Sequence, residues 1–393
     1  MAGRISLGRI NFTTFRNLAD ATFEPHTETN LLHGGNGHGK TSILEAIYAL
    51  ATTRSFRTPR LREIASHGKA TFALAGDFNE DREGLPNFVR RQTAAYVDRA
   101  LMVRVDGNKP RTAAAYAVLS PIVVFHPDEL QLSTGPAELR RRLLDRVALY
   151  RFAGHAKGVS DYTRAMRSRQ ELLRSGHGSN AEIEAYESLI ADAGAMIVTQ
   201  RRAASEMLFP RVANAFMAIA AKELTLGLDY AASGEATRDG LLAQLEASRR
   251  SDAKMPSPAR GPHRDDVTIR LDGHPARKVA SQGQHRAIAL ALKAGESSAI
   301  AEITGLEPIQ LLDDVSSELD AERTQALFRY LAELRGQVFV TTARGDLLDP
   351  LMLRQNVKSF QVRNGCVEPS SLLAATRLPA YENRTKCRKK YPS

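Results

Sequence analysis

The sequence predicts an α/β fold: a parallel sheet with covering helices, joined to an antiparallel β subdomain and interrupted by a helical insertion. Three observations carry this reading. An apolar run from Thr29 to His33 enters a glycine-rich loop, after which Ile43, Leu44, Ile47 and Leu50 recur at helical spacing. From Val267 onward strand and helix patterns alternate, as they do where helices connect parallel strands. From Pro127 to about Thr268 strand signals are scarce.

Taken in order, Ile5-Ser6-Leu7 to Phe12 and Ala21-Thr22-Phe23 read as paired strands ahead of the glycine loop. Strands follow at Thr71–Leu74, Phe88–Val97 and Leu101–Val105, and Asp106-Gly107-Asn108 supplies turn chemistry after the last, because Gly and Asn tolerate positive φ. Gly135-Pro136 ahead of Glu138 marks a helix start with proline at the first helical position, and Leu139, Leu143, Val147 and Tyr150 form its apolar face. Ser179 and Glu182 form a capping box for a helix carrying Ile183, Tyr186, Ile190 and Ile197. The apolar pattern holds no clean heptad for long, so short packed helices are expected rather than a long coiled coil. Then come a strand at Val267–Leu271, a helix from Gln284 to Ile303, a strand at Ile309–Leu312, a helix over Ala321–Leu334 and a strand at Gln337–Thr342. The expected organisation is an N-terminal lobe over 1–126, an insertion over 127–255, a C-terminal lobe over 256–373 and a basic, disordered tail over 374–393.

A chain of 393 residues with 43% hydrophobic and 25% charged residues has ordinary globular composition. Lys and Arg number 54 against 44 Asp and Glu, a net charge of +10 that favours a polyanionic partner such as nucleic acid. The two cysteines, Cys366 and Cys387, have neither zinc nor disulfide spacing and suit a reducing compartment. No secretory signal and no membrane-spanning run is read, so a cytoplasmic protein is expected.

Gly34-Gly35-Asn36-Gly37-His38-Gly39-Lys40-Thr41 satisfies G-x-x-x-x-G-K-[ST]. Its glycines let successive amides point inward at phosphate oxygens, Lys40 reaches the β and γ phosphates of ATP, and the Thr41 hydroxyl suits Mg2+. The helix beginning at Ser42 presents its positive end to the same anion. Such a loop needs a carboxylate partner, and Ile309-Gln310-Leu311-Leu312-Asp313-Asp314 is an apolar strand ending in two. Asp313 suits Mg2+, and Asp314 then faces the attacking water as the catalytic carboxylate. Shortly before it, Ser281-Gln282-Gly283-Gln284 opens a helix, so that a hydroxyl, glycine amides and a helix N-terminus make a second phosphate-binding surface. Ser317-Glu318-Leu319-Asp320 follows the acidic strand.

That order of segments resembles ABC-type P-loop ATPase heads: Gly34–Thr41 looks like Walker A, Ser281–Gln284 the signature, Leu311–Asp314 Walker B and Ser317–Asp320 the D-loop. Phe15-Arg16-Asn17, Ser55-Phe56-Arg57-Thr58, Phe125-His126-Pro127-Asp128, Gly261-Pro262-His263-Arg264-Asp265-Asp266 and the full run Leu311–Asp320 narrow the resemblance to the RecF family of bacterial recombination mediators, over about residues 5–370. The resemblance implies two subunits closing head to tail around ATP, with Ser281 and Gly283 of one meeting γ-phosphate bound to the other, and hydrolysis reopening the dimer. It implies action on gapped or stalled DNA with RecR and RecO, helping RecA to load, in recombinational repair, replication-fork maintenance and the SOS response. Asp314 stands where many ABC enzymes have glutamate, and its shorter reach implies slow turnover. By analogy with related heads Arg16 contacts phosphate; by its residues alone it is equally a strand-end arginine. Arg140, Arg141 and Arg142 suit a DNA backbone or a solvated helix face, and His263 and Arg264 suit a turn or the nucleotide. The alternatives are an ATPase subunit of a transport complex, which the helical insertion and net charge disfavour, and a small-molecule phosphotransferase, which leaves the signature loop unexplained.

Overall fold

The computed structural model describes residues 2–176, 178–220, 223–255, 257–314, 335–342 and 356–370. In chain order the first lobe gives β1 (Gly3–Thr13), β2 (Ala21–Phe23), β3 (Thr29–His33), α1 (Lys40–Thr52), β4 (Phe72–Asp81), β5 (Phe88–Val97), β6 (Ala100–Val105), α2 (Ala113–Ala117) and β7 (Ile122–Phe125). The middle region gives α3 (Gln131–Thr134), α4 (Ala137–Arg151), α5 (His155–Ser175), α6 (Asn180–Ile219), β8 (Leu226–Ala231) and α7 (Arg238–Asp252). The last region gives β9 (Asp266–Leu271), β10 (His274–Pro275), α8 (Ala276–Val279), α9 (Gln282–Thr304), β11 (Leu306–Glu307), β12 (Ile309–Asp313), β13 (Val338–Thr342), β14 (Val357–Arg363) and β15 (Cys366–Ser370).

The core sheet has the order β15-β14-β3-β13-β12-β7, and every pairing in it is parallel except β14 with β15. Its strands are apolar on both faces, as a sheet covered on both sides requires. Leu32, Val124, Leu311 and Phe339 face α1 and the antiparallel sheet beyond it. Their neighbours Leu31, Val123, Phe125, Leu312, Val338 and Val340 face the other way, toward Ile300 of α9. The two-residue alternation of a strand thus sorts side chains into two cores.

The second sheet, β11-β1-β4-β5-β6 with β2 on β1, is antiparallel except where β1 meets β11, and it covers α1. Gln337 stitches it to the core sheet: its side chain accepts from Leu7 N at 2.7 Å and donates to Leu7 O and His26 O. The tight turn joining β5 to β6 is Asp98-Arg99, both at positive φ (50° and 62°), while Asp106-Gly107 makes a second, isolated turn closed between Val105 and Asn108.

The middle region departs from the short helices expected. α5 and α6 are 21 and 40 residues long and pack on each other, with α6 continuing past Pro210. Ile183, Ile190, Ile197 and Ala204 do recur every seven residues along its buried side. The alternate row, Glu187, Gly194 and Arg201, is buried too but not apolar, which hides the repeat from a hydrophobicity pattern. Glu187 is paired with Arg169 and Arg249, and Arg201 with Asp145 and Asp265, so burial of their charges is tolerated. β8, unread in the sequence, pairs with β9 in the three-stranded sheet β10-β9-β8, so a boundary drawn at 255 passes through a sheet. Pro136 is the N-cap of α4 rather than its first residue, and Ser179–Glu182 is a reciprocal capping box on α6. Ser317–Asp320, the helix expected over 321–334 and the tail over 374–393 lie outside the described residues.

Candidate nucleotide site

The carboxyl ends of β3, β7, β12 and β13 open at one edge of the core sheet, where parallel sheets place ligands. The glycine loop leaves β3 there and turns directly into α1, whose N-cap is Gly39. Two glycines are required by geometry. A Cβ on Gly34 would lie 2.2 Å from Val362 O, and Gly39 holds φ 111° with Leu18 Cδ2 3.0 Å from where its Cβ would be. Lys40 Nζ donates to Gly34 O at 2.7 Å and Gly35 O at 3.0 Å, folding back over the concave side of its own loop. Burial pushes its ammonium below the ordinary lysine range, against the upward pull of Asp314 and Asp313. Burial, and secondarily Lys40, likewise keep His33 at the loop entrance below its ordinary value.

Thr41, the first-turn hydroxyl of α1, meets the end of β12: its Oγ1 donates to Asp313 Oδ1 at 2.9 Å. Thr341 at the end of β13 donates to the same oxygen at 2.8 Å and accepts from Asp314 N at 2.9 Å. Asp314 itself sits at φ 47°, a left-handed conformation uncommon outside glycine that turns the chain sharply after the strand. His126, one residue beyond β7, places Nε2 3.6 Å from Asp313 Oδ2, and its ring rests against Phe56, which packs on Tyr48 of α1. The donor set of a threonine hydroxyl and a carboxylate is all hard oxygen and fits Mg2+.

The structure gives Arg16 to a different partner from the one analogy suggests. Its Nε and Nη2 donate to Glu45 at 2.8 and 2.7 Å and its Nη1 to Glu63 O at 2.7 Å. Glu45, wholly buried on α1, also holds Arg57 at 3.3 Å and Ser55, so the Ser55–Thr58 stretch is folded around one carboxylate.

Ser281 caps α9. It accepts from Gln284 N, and Gln284 Oε1 accepts from Ser281 N at 2.7 Å, with Ser281 and Gln282 exposed to solvent and Gly283 partly so. From His285 onward α9 is mostly buried, so this loop is the outward end of an otherwise interior helix. Gln310, the polar residue within the apolar run Ile309–Leu312, is fully buried and donates to Ser297 on α9, pinning the acidic strand to the signature helix. A second tie is ionic: Arg146 of α4 meets Glu296 at 2.7 Å, Glu296 also holds Lys293, and Arg146 reaches Tyr48 Oη and Ile122 O, both at 3.2 Å. These buried charges lie on helices whose apolar residues carried the periodicity, and no spacing rule singles them out.

The Gly261–Asp266 stretch is bonded to α4, α5 and α6. His263 bonds Tyr162 Oη and Pro258 O, Arg264 bonds Ser257, and Asp265 gathers Arg201, Tyr230 and Ser233 N. Arg140 is buried in a two-bond pair with Asp266, Arg141 donates to Asp265 O, and Arg142 pairs with Glu138. Arg140 and Arg141 therefore hold this joint together, while Arg142 pairs within its own helix.

A family model described as the RecF/RecN/SMC N terminal domain matches residues 6–368. DNA replication and repair protein RecF of Anaeromyxobacter sp. (strain Fw109-5) is 39% identical over 365 residues, covering 90% of this chain and 96% of the relative. RecF of Myxococcus xanthus is 37% identical (85% and 90% covered) and RecF of Geobacter sulfurreducens 34% (92% and 99%). Among solved structures, the recombination mediator protein RecF with ATP, of the RecFOR pathway, superposes with TM-score 0.82 at 27% identity over 94% of this chain and 99% of that one. The Smc head domain of Pyrococcus furiosus shares the fold at TM-score 0.53 and 16% identity.

Proposed function

The chain belongs to the RecF family, and from that membership and the geometry of its phosphate loop we propose that it is an ATP-dependent DNA-binding protein of recombinational repair. In this reading it works as a recombination mediator with RecR and RecO, helping RecA onto gapped or stalled DNA. The observation that carries the ATPase part is the meeting of Thr41 with Asp313 across 272 residues of sequence, which joins the phosphate loop to the acidic strand in one site.

Within that site Gly34–Ser42 binds the phosphates: the loop amides and the N-terminus of α1 surround them, and Lys40 exchanges its two carbonyl partners for phosphate oxygens. Thr41 and Asp313 would hold Mg2+, which supplies charge neutralisation on the phosphate oxygens when bound. Asp314, whose backbone N–H donates a hydrogen bond to Thr341 Oγ1, orients the attacking water as the catalytic carboxylate. The short side chain of Asp314 makes turnover slow. The Ser281–Gln284 segment, exposed at Ser281 and Gln282, meets γ-phosphate held by a second copy. Loss of γ-phosphate removes the contact that favours the closed pair, so hydrolysis resets it. The net charge of +10 supports a phosphate-backbone partner. Family membership supports this reading over a transport subunit.

Sedimentation of the full chain tests it. ATP should convert monomer to dimer, gapped DNA should raise ATP hydrolysis, and DNA binding should weaken steeply between 50 and 200 mM salt, as expected on the order of 10³-fold or more for several phosphate contacts. Lys40→Arg should abolish the ATP-driven dimer. A chain that stays monomeric with ATP and has no affinity for DNA contradicts the proposal.

A further inference from the structure

The outer face of the phosphate loop is held by two stretches of chain that belong to neither nucleotide motif. One is Asn17-Leu18-Ala19, between β1 and β2. The other is the Asn364-Gly365 turn between β14 and β15, an Asn-Gly pair at φ 49° and 80°, as a two-residue hairpin turn demands. Asn17 Nδ2 donates to Gly37 O at 2.7 Å, and its Oδ1 accepts from Ser42 Oγ at 2.7 Å, so one amide spans the loop from its middle to the first turn of α1. Gly365 N donates to His38 O at 2.9 Å, and Asn364 N donates to His38 Nδ1 at 3.2 Å. Ala19 N donates in turn to Gly365 O at 3.1 Å. The three stretches therefore form a closed ring of hydrogen bonds: 37–42 to 17, 17–19 to 365, and 364–365 back to 38.

The fit is close where the turn meets Asn17–Ala19. A Cβ on Gly365 would lie 2.1 Å from Asn17 O and 2.8 Å from Ala19 N, both backbone atoms. The turn is also fixed from behind, because β14 pairs in parallel with β3, the strand that feeds the loop, placing Phe360 beside Leu32 and Gln361 beside His33.

We propose that Asn17 and the Asn364-Gly365 turn are positioning residues for nucleotide binding, clamping the phosphate loop so that its amides are arranged before ATP arrives. A run with glycine at four of its eight positions loses much backbone freedom when it closes on a phosphate. Bonds to the outside of the loop remove that freedom in advance and leave its concave side open. Because the clamp acts on the loop and touches no γ-phosphate, its loss weakens ATP and ADP alike, raising KM while leaving kcat nearly unchanged.

The inference rests on Gly34–Thr41 being the ATP site, and Lys40→Ala tests that premise separately. Calorimetric titration of the full chain with ATP and with ADP, on Asn17→Ala and Gly365→Ala, should show both nucleotides bound about tenfold more weakly. Hydrogen exchange without nucleotide should be faster at amides 35–40 and unchanged in β4 and β5. If Gly365→Ala does not fold, Asn17→Ala decides, since it removes only a side chain. Unchanged affinities in Asn17→Ala while Lys40→Ala abolishes binding would overturn the clamp alone, as would unchanged exchange in the loop or a loss confined to ATP. ATP binding that survives Lys40→Ala would overturn the premise instead.

Discussion

Glu45 has no solvent contact on α1, yet it holds the side chains of Arg16, Arg57 and Ser55 at once. A carboxylate so placed is tolerated because its charge is paired. Glu45→Ala should cost about 3 kcal/mol of stability, read from urea unfolding, and Arg16→Ala less, because Arg57 and Ser55 remain on the carboxylate. The double variant should cost much less than the sum, since both single changes break one interaction. If Arg16→Ala leaves stability intact and weakens ATP binding, the arginine belongs on the phosphate. At this scale the motif residues were legible because phosphate chemistry restricts what can stand at Gly34, Lys40, Thr41 and Asp313. Glu45 and Gln310 were not, because a buried polar residue is recognisable only beside its partner. Asn364-Gly365 did carry a signal, an Asn-Gly pair between two strand-like runs, and could have been read as a hairpin.

Among elements, α9 joins the parts of the molecule. Its first turn carries Ser281 and Gln284, its middle is tied to α4 and to β12, and its far half packs under the core sheet. Along the same helix Gly295 lies against α6, where an added Cβ would fall 2.5 Å from Val212 Cγ2 and 2.8 Å from Val212 N. The second of these is backbone and cannot swing aside. Gly295→Ala should therefore destabilise the protein by about 1–3 kcal/mol despite alanine's better helix propensity, measured as a lower unfolding midpoint in urea. A gain in stability would mean that α6 and α9 do not approach this closely. The helix itself was legible from its cap and apolar spacing. Its role as a strut was not, since that depends on a crossing with α6, whose own heptad is masked by Glu187, Gly194 and Arg201.

At the scale of the whole molecule, the alternation of strands and helices was enough to place a covered parallel sheet, because two-residue periodicity and apolar strands leave few other arrangements. The long helices α5 and α6 were harder. Buried ion pairs at Arg169, Arg201 and Asp145 hold them to their neighbours, and Arg140 and Arg141 join α4 to the Gly261–Asp266 stretch. The phosphate loop opens at one sheet edge and the Ser281 loop faces outward at the end of α9. In the proposed dimer each supplies one side of a nucleotide site. Mixing two damaged copies tests this most directly. Lys40→Ala removes the phosphate-loop side and Ser281→Arg the signature side, with Ser281→Arg still binding ATP as a monomer. Sedimentation with ATP should show neither variant dimerising alone, whereas an equimolar mixture forms dimer through the one site whose two halves are both intact. A mixture no more dimeric than its separate components, beside an intact protein that dimerises, would contradict the account.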